Sequence, residues 1–185
     1  MDHLDSPAEP SHAGGFLATA SRADVQSLGL LQRILLVSDG TLTDIVEAAF
    51  QEKIQLVKLS LDLSPSAASI DELDLMPGAP LMTREILLQG AISKRNYVYA
   101  KSLLAIDSLP PKLRHELVST DRPLGRLWVE HKLETRKEIL KVWRHRKGGT
   151  LAHFPDARGE LVARSYRVFC GGRPIMLITE HFPGE

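Results

Sequence analysis

Apolar residues near the start of the chain recur every three or four positions, which is the period of an amphipathic helix. This spacing predicts a short helix that ends by Ser38, with Leu28, Leu31, Ile34 and Leu35 as its apolar positions. Asp39-Gly40 interrupts the pattern, and a second helix is predicted beyond it. The apolar stripe of this second helix consists of Ile45, Val46, Ala49 and Phe50.

From residue 54 onwards most apolar runs alternate with polar residues, as in half-buried β-strands. The predicted strands are 54–63, 82–88, 97–104, 133–145, 161–169 and 174–182. Gly171-Gly172 between the last two strands predicts a tight hairpin, because such turns need positive φ. Further short helices are predicted at 110–117 and near 126–130, with long connections at 64–80 and 146–159. Hairpin-linked strands with few helices predict an α+β protein with a largely antiparallel sheet.

Length and composition favour one compact domain. The chain has 185 residues, of which 43% are hydrophobic, so it can fill a core without disulfides or a metal. Residues 1–24 contain few large apolar side chains and are predicted to be a disordered tail, which leaves 25–185 as the domain. Twenty-three basic and 23 acidic residues balance, which gives no reason to expect binding to nucleic acid or a membrane surface. The lone Cys170 favours a reducing, cytoplasmic location.

Two charged residues fall on apolar faces of predicted strands. Alternate side chains of a strand share a face, so Arg84 lies with Met82, Ile86 and Leu88. By the same alternation Glu180 lies with Met176, Ile178 and Phe182. A buried charge is costly unless it has a partner. Either the two residues form a structural ion pair, or both line a pocket whose ligand supplies their partners, and alternation alone does not distinguish these alternatives.

Four segments in a fixed order give the chain a resemblance to a known family. They are Leu35-Leu36-Val37-Ser38-Asp39-Gly40-Thr41-Leu42-Thr43, Thr83-Arg84-Glu85-Ile86-Leu87-Leu88, Pro123-Leu124-Gly125-Arg126, and Gly172-Arg173-Pro174-Ile175-Met176-Leu177-Ile178-Thr179-Glu180-His181-Phe182-Pro183. In this order and spacing the sequence resembles the chorismate pyruvate-lyase family, which includes the bacterial 4-hydroxybenzoate synthases. The resemblance runs from about residue 28 to the C-terminus.

The resemblance implies an antiparallel sheet of about six strands with helical flaps over a buried ligand cavity. It also implies cleavage of chorismate to 4-hydroxybenzoate and pyruvate without a metal or cofactor. The family's ligand-binding arginine corresponds to Arg84 and its essential glutamate to Glu180. Backbone amides that contact the product's carboxylate correspond to the neighbourhoods of Leu42 and Leu124. These expectations include small-molecule ligands only, and a monomer or weak dimer.

Chorismate carries a second carboxylate, for which a further cation is expected. Lys101 is the first candidate and Arg126 the second, although each is also consistent with an ordinary surface cation. Two other functions remain open at this point. One is a non-catalytic sensor domain of the same architecture that binds aromatic acids, since fold does not fix function. The other is a lyase for a related enolpyruvyl ether such as isochorismate.

Overall fold

The computed structural model describes residues 28–120, 124–146, 148–157 and 159–184. The tail predicted for residues 1–24 therefore lies outside the described residues. Four α-helices are present in these ranges: α1 (Leu30–Val37), α2 (Leu42–Phe50), α3 (Pro111–Ser119) and α4 (Leu124–Glu130). None of the helices in the described ranges is long and apolar enough to cross a membrane.

Six strands form one antiparallel sheet, as the sequence predicts. They are β1 (Ile54–Pro65), β2 (Pro80–Gly90), β3 (Asn96–Ala105), β4 (Thr135–His145), β5 (Leu161–Cys170) and β6 (Arg173–Pro183). Their order across the sheet is β1-β2-β3-β6-β5-β4. Because β6 pairs with β3, the C-terminal hairpin joins the N-terminal three strands into a continuous sheet.

The hairpin between β5 and β6 depends on its two glycines. Gly171 and Gly172 have φ angles of 56° and 78°. Two consecutive residues with positive φ are the requirement of a type I′ turn, whose twist matches that of the flanking strands. This turn sets the register in which Arg164 on β5 lies opposite Glu180 on β6.

The two faces of the sheet are covered by different elements. Helices α1 and α2 pack on one face at the end formed by Ile54, Tyr97 and Phe182. Helices α3 and α4 contribute to a second apolar cluster around Met82, Leu104 and Met176. On the opposite face, Phe154 follows the 3-10 turn Gly149–His153 and packs against Leu87, Tyr99 and Leu161. Within the predicted 146–159 connection, this turn and Phe154 thus cover that face.

Helix α1 is held at its start by a buried glutamine. The Gln32 side chain accepts a hydrogen bond from the Gly29 backbone N–H at 3.0 Å and donates one to the Pro183 carbonyl at 2.8 Å. These bonds satisfy an N–H at the helix start that has no intrahelical partner. They also attach α1 to the end of β6, which helps to position the segment that leads into the cavity.

Candidate active site

A cavity of about 320 Å³ lies between the sheet and helices α2 and α4. Its wall is largely apolar, with Leu56, Leu88, Val98, Trp128 and Ile178 among the lining residues. Polar and charged side chains line the rest of it. A volume of this size with a wall that is apolar over most of its area is typical of a small-molecule site.

Arg84 lies on the floor of the cavity and is only 1% exposed. It shares its face of β2 with Met82, Ile86 and Leu88, all of which are buried, so the face predicted from strand alternation is confirmed. Ser102, the residue opposite Arg84 on β3, is also buried and also lines the cavity. A buried guanidinium beside a hydroxyl provides several directed N–H and O–H donors.

Glu180 lies on β6 and is 6% exposed. Its Oε2 accepts a hydrogen bond from Arg164 Nε at 2.7 Å, and its Oε1 accepts one from the Tyr166 hydroxyl at 2.8 Å. Glu180 therefore forms its ion pair with Arg164. Arg84 and Glu180 both line the cavity, as the pocket alternative requires, but Glu180 takes two of its partners from the protein itself.

Arg164 also joins Glu180 to the helical cover. Its Nη1 donates to the carbonyl oxygens of Leu36 at 3.1 Å and Ser38 at 3.0 Å. Ser38 directly precedes the Asp39–Thr43 segment, which lines the cavity. Sequence reasoning missed Arg164, although strand alternation could have found it. On β5, Arg164 shares its face with the buried Val162, Tyr166 and Val168, which is the pattern that marked Arg84.

In this cluster the buried charges of Arg164 and Glu180 stabilise each other. Burial disfavours the charge of Arg164, but the adjacent Glu180 carboxylate outweighs this effect and raises the pKa of the guanidinium. Burial, reinforced by the charge of Glu180, raises the pKa of the Tyr166 hydroxyl well above its ordinary value. Arg164 therefore stays charged and Tyr166 stays protonated, so both act as donors to Glu180.

Lys137 enters the cavity from β4 and is half-buried. Its Nζ donates to the carbonyl oxygens of Asp39 at 2.7 Å and Gly40 at 3.1 Å. It also lies 5.5 Å from the centre of the Tyr166 ring. Burial lowers the pKa of Lys137, while the negative charges of Glu180 and Asp39 act against that shift. Sequence reasoning did not single out Lys137, because β4 alternates charged and apolar residues along much of its length.

The two positions expected to supply backbone amides lie at the cavity. Leu42 is the first residue of α2 and Leu124 the first residue of α4, and both line the cavity. The first N–H groups of a helix have no intrahelical acceptor and carry partial positive charge. The start of α2 thus provides donors of the kind that a carboxylate would accept.

The two cations predicted for a second carboxylate lie elsewhere. Lys101 is on the opposite face of the sheet, with its Nζ 3.2 Å from Glu85 Oε1. The reason is the strand register, which places Ser102 rather than Lys101 opposite Arg84. Arg126 does not line the cavity either, since its Nη2 lies 3.0 Å from Glu47 Oε1 and joins α4 to α2. The structure does not bring either residue to the cavity.

The described residues contain no cluster of three or more His, Cys, Asp or Glu side chains arranged to hold a metal ion. What they do contain is an antiparallel sheet whose cavity brings a buried arginine, a buried carboxylate and a lysine around an apolar wall. Fold and site together define an α+β protein of the chorismate lyase-like class.

Comparison with known proteins gives the family. The family described as "Chorismate pyruvate-lyase Rv2949c-like" matches residues 36–185. Chorismate pyruvate-lyase of Mycobacterium tuberculosis strain H37Rv is 36% identical over 167 residues, covering 88% of this chain and 84% of the relative. The enzyme of Mycobacterium leprae is 33% identical and covers 89% of this chain and 79% of the relative. The chain belongs to the Rv2949c-like chorismate pyruvate-lyase family, so the predicted family is confirmed.

Solved structures confirm the fold class. PhnF from Mycobacterium smegmatis superposes with a TM-score of 0.60 at 13% identity, covering 80% of this chain and 65% of PhnF. The effector domain of PhnF alone gives a TM-score of 0.58, with 88% of that domain covered. This chain therefore spans just under two thirds of full-length PhnF and corresponds to its effector domain. At such low identity the likeness shows the fold alone.

Proposed function

We propose that this chain is a chorismate pyruvate-lyase, which eliminates pyruvate from chorismate and leaves 4-hydroxybenzoate. The observation that carries the proposal is the cavity itself, where Arg84 and Glu180 are both buried and both line one wall. Membership of the chorismate pyruvate-lyase family indicates the reaction that this arrangement of residues would catalyse. Membership also supports chorismate as the substrate in preference to isochorismate.

The charges around the cavity suit a dianion. Among the described residues, three cations line it (Arg84, Lys132 and Lys137) together with two anions, Asp39 and Glu180. Arg164, which forms an ion pair with Glu180, adds a further cation nearby. The resulting excess of positive charge complements chorismate, which has a ring carboxylate and an enolpyruvyl carboxylate.

In this proposal Arg84 binds the ring carboxylate. The planar guanidinium can hold a carboxylate through two parallel N–H···O bonds, which fixes orientation as well as position. Backbone N–H groups at the start of α2, near Leu42, and near Leu124 add donors to the same group. Ser102, opposite Arg84, offers a hydroxyl beside it.

Glu180 would accept a hydrogen bond from the ring hydroxyl at C4. Each carboxylate oxygen has two acceptor sites. Arg164 and Tyr166 use one site on each oxygen, so both oxygens keep capacity for the substrate. The same two bonds restrict the rotation of the carboxylate, and fixed geometry of this kind is a major source of catalytic rate.

The reaction breaks two bonds of the ring. C4 loses its hydrogen as a proton, and the C3–O bond breaks so that the ether oxygen leaves with the three-carbon fragment. That fragment gains a proton at its methylene carbon and becomes pyruvate. The ring becomes aromatic, and the C4 hydroxyl becomes the phenol of 4-hydroxybenzoate. Aromatisation favours the products strongly, so the protein has mainly to enclose and orient the substrate. The C4 proton passes either to Glu180 or directly to the departing fragment.

We propose that the enzyme works as a monomer or weak dimer. The single Cys170 supports a cytoplasmic location, because reducing compartments keep thiols free. Equal numbers of acidic and basic residues support a small molecule as the only partner, with neither nucleic acid nor membrane involved.

The test is to incubate the purified protein with chorismate in the presence of a chelator. Pyruvate is followed with a coupled dehydrogenase, and the aromatic product is identified by chromatography. We expect equal amounts of pyruvate and 4-hydroxybenzoate. Arg84→Met and Glu180→Gln should lower kcat/KM by about 100-fold or more. Arg136→Met, an exposed position on β4, is the matched control.

Each other outcome has a definite meaning, provided that the variants unfold cooperatively in urea as the parent does. Near-normal turnover by Glu180→Gln would remove Glu180 from the proton-transfer step. Salicylate formed from isochorismate, with no reaction of chorismate, would replace the substrate. Saturable binding of 4-hydroxybenzoate without any turnover would make the domain a sensor and the lyase proposal wrong.

A further inference from the structure

The substrate of the proposed lyase has two carboxylates, and Arg84 can account for only one. The enolpyruvyl carboxylate belongs to the fragment on C3, beside the C4 hydroxyl and away from the ring carboxylate on C1. Its partner should therefore lie on the Glu180 side of the cavity, at some distance from Arg84. Lys101 and Arg126 are excluded because both form ion pairs outside the cavity.

Lys137 occupies the required place. The strand order β2-β3-β6-β5-β4 puts Arg84 and Lys137 on opposite sides of the cavity, with Glu180 on a strand between them. Lys137 Nζ lies 5.5 Å from the centre of the Tyr166 ring, and the Tyr166 hydroxyl donates to Glu180. A cation, a carboxylate and a second cation thus follow one another across the sheet. Chorismate presents a ring carboxylate on C1, a hydroxyl on C4 and a second carboxylate on the fragment attached to the adjacent C3.

We propose that Lys137 binds the enolpyruvyl carboxylate and thereby makes the site favour the substrate over the aromatic product. The inference rests on the proposed function, and it assigns a specificity-determining contact within that site. An ammonium group has three N–H donors. In the described residues two of them are directed to the Asp39 and Gly40 carbonyls, and a carboxylate can accept the third.

The backbone carbonyls at Asp39 and Gly40 also explain how Lys137 is kept in place without a ligand. They fix the ammonium group at the cavity edge with neutral acceptors. A carboxylate is a stronger acceptor than a backbone carbonyl, because charge-assisted hydrogen bonds are about twice as strong as neutral ones. An incoming enolpyruvyl carboxylate therefore gains a partner that is already oriented. Burial disfavours the charged form of an isolated lysine, and the negative charge of the bound carboxylate offsets this cost.

The consequence is a difference between substrate and product. Both carry the ring carboxylate, which engages Arg84, but 4-hydroxybenzoate has lost the enolpyruvyl group. Lys137 should then contribute to the binding of chorismate and not to that of 4-hydroxybenzoate. Lys132 also lines the cavity but is exposed and lies just beyond α4, so solvent screens its charge more strongly. It is the competing assignment that the experiment has to exclude.

The experiment compares Lys137→Met, Lys137→Arg and Lys132→Met in the full chain. The matched control is Lys141→Met, an exposed lysine on the same strand, whose Nζ lies over the Trp143 ring. For each protein kcat and KM for chorismate are measured, together with the Kd of 4-hydroxybenzoate by calorimetry. The Kd of chorismate is measured in the same way in the Glu180→Gln background, where turnover is slow. Lys137→Met should weaken chorismate binding and raise KM by about 10- to 100-fold. Its Kd for 4-hydroxybenzoate should stay within about twofold of the parent, and Lys137→Arg should restore most chorismate affinity.

Three results would overturn the assignment. Lys137→Met could bind chorismate like the parent, or Lys132→Met could show the selective loss instead. Equal weakening of substrate and product would mean that Lys137 acts only by holding the Asp39–Gly40 backbone. Absence of turnover by the parent chain would refute the proposed function separately. In that case the two Kd values still decide whether Lys137 distinguishes the ligands, and failure of the parent to bind chorismate would overturn both proposals.

Discussion

Glu180 and His181 are adjacent in the sequence, yet they belong to two buried polar clusters on opposite faces of the sheet. On the cavity face, Glu180 is bound by Arg164 and by Tyr166. On the other face, His181 Nδ1 lies 2.9 Å from His145 Nε2, and the His181 ring contacts the rings of Tyr99 and Trp143.

The two clusters differ in charge. Burial, together with the nearby His145, lowers the pKa of His181 to about 4, and burial raises the pKa of Tyr99 to about 12. Both groups are therefore neutral at neutral pH, as expected for side chains that serve packing. On the cavity face Arg164 keeps its charge, because Glu180 outweighs the effect of burial. Burial of a polar residue thus does not by itself indicate function. A retained charge beside an open cavity is the more informative sign.

The largest expected effect follows from breaking the charged cluster. Arg164→Met leaves Glu180 buried without its cation, and removal of one partner from a buried pair costs about 3–5 kcal/mol. Urea denaturation should show a loss of this size in the free energy of unfolding. Arg167→Met on the same strand removes a partly exposed pair with Glu138 and should cost less than about 1 kcal/mol. Equal losses in the two variants would mean that the buried Arg164–Glu180 pair contributes no more to the free energy of unfolding than the partly exposed Arg167–Glu138 pair.

An intermediate effect on stability is expected when the pH is lowered and His181, on the face opposite the cavity, becomes protonated. The folded pKa of His181 is about 4, below the ordinary value of about 6.5. The unfolded chain therefore binds this proton first, so the contribution of His181 is intact above pH 6.5 and is lost as the pH falls towards 4. The full loss is on the order of 3 kcal/mol.

This prediction is checked by measuring the free energy of unfolding of the parent and of His181→Gln at pH 7.5, 6 and 5. The parent should lose more stability than the variant over this range. Hydrogen bonds from the Ser93 backbone and hydroxyl lower the pKa of Glu52 to about 2. The contribution of Glu52 to stability is therefore lost only below the ordinary pKa of a glutamate, which lies outside the pH range measured. Parallel curves for the two proteins would show that His181 does not titrate as a buried neutral group.

The smallest effect is expected from the cation that the strand register keeps out of the cavity. Lys101 is 49% exposed in its pair with Glu85, and exposed pairs contribute about 1 kcal/mol or less. Lys101→Met should therefore leave kcat and KM for chorismate unchanged within error and alter stability only slightly. A selective rise in KM for chorismate would place Lys101 at the substrate, and it would contradict the assignment of the substrate to the other face of the sheet.

The fold itself cannot distinguish a lyase from a sensor. The effector domain of PhnF and the ligand-binding domain of a putative GntR-family transcriptional regulator from Bordetella bronchiseptica have this architecture, at TM-scores of 0.58 and 0.54. An apolar cavity in such a sheet can either bind an anion or transform it. In this chain the catalytic proposal depends on Arg84, Glu180 and the groups that fix them, and these side chains are what a comparison with the regulators should examine.

The sequence by itself determined the local order of the molecule. Helical and strand periods located all six strands and the helices before β1, and Gly171-Gly172 located the last hairpin. Strand alternation placed Arg84 and Glu180 on inward faces, because the pleat of a strand assigns each side chain to one face whatever the neighbouring strand is.

Only the tertiary structure decided which residues meet across strands. Arg164 reaches Glu180 because the hairpin register sets them opposite each other, and Lys101 is excluded because β3 presents Ser102 to Arg84. Lys137 lies 43 positions before Glu180 in the chain and joins the cavity only through the order of β6, β5 and β4. The alternation of a single strand contains no information on its neighbours, since register depends on turns and on packing along the whole sheet.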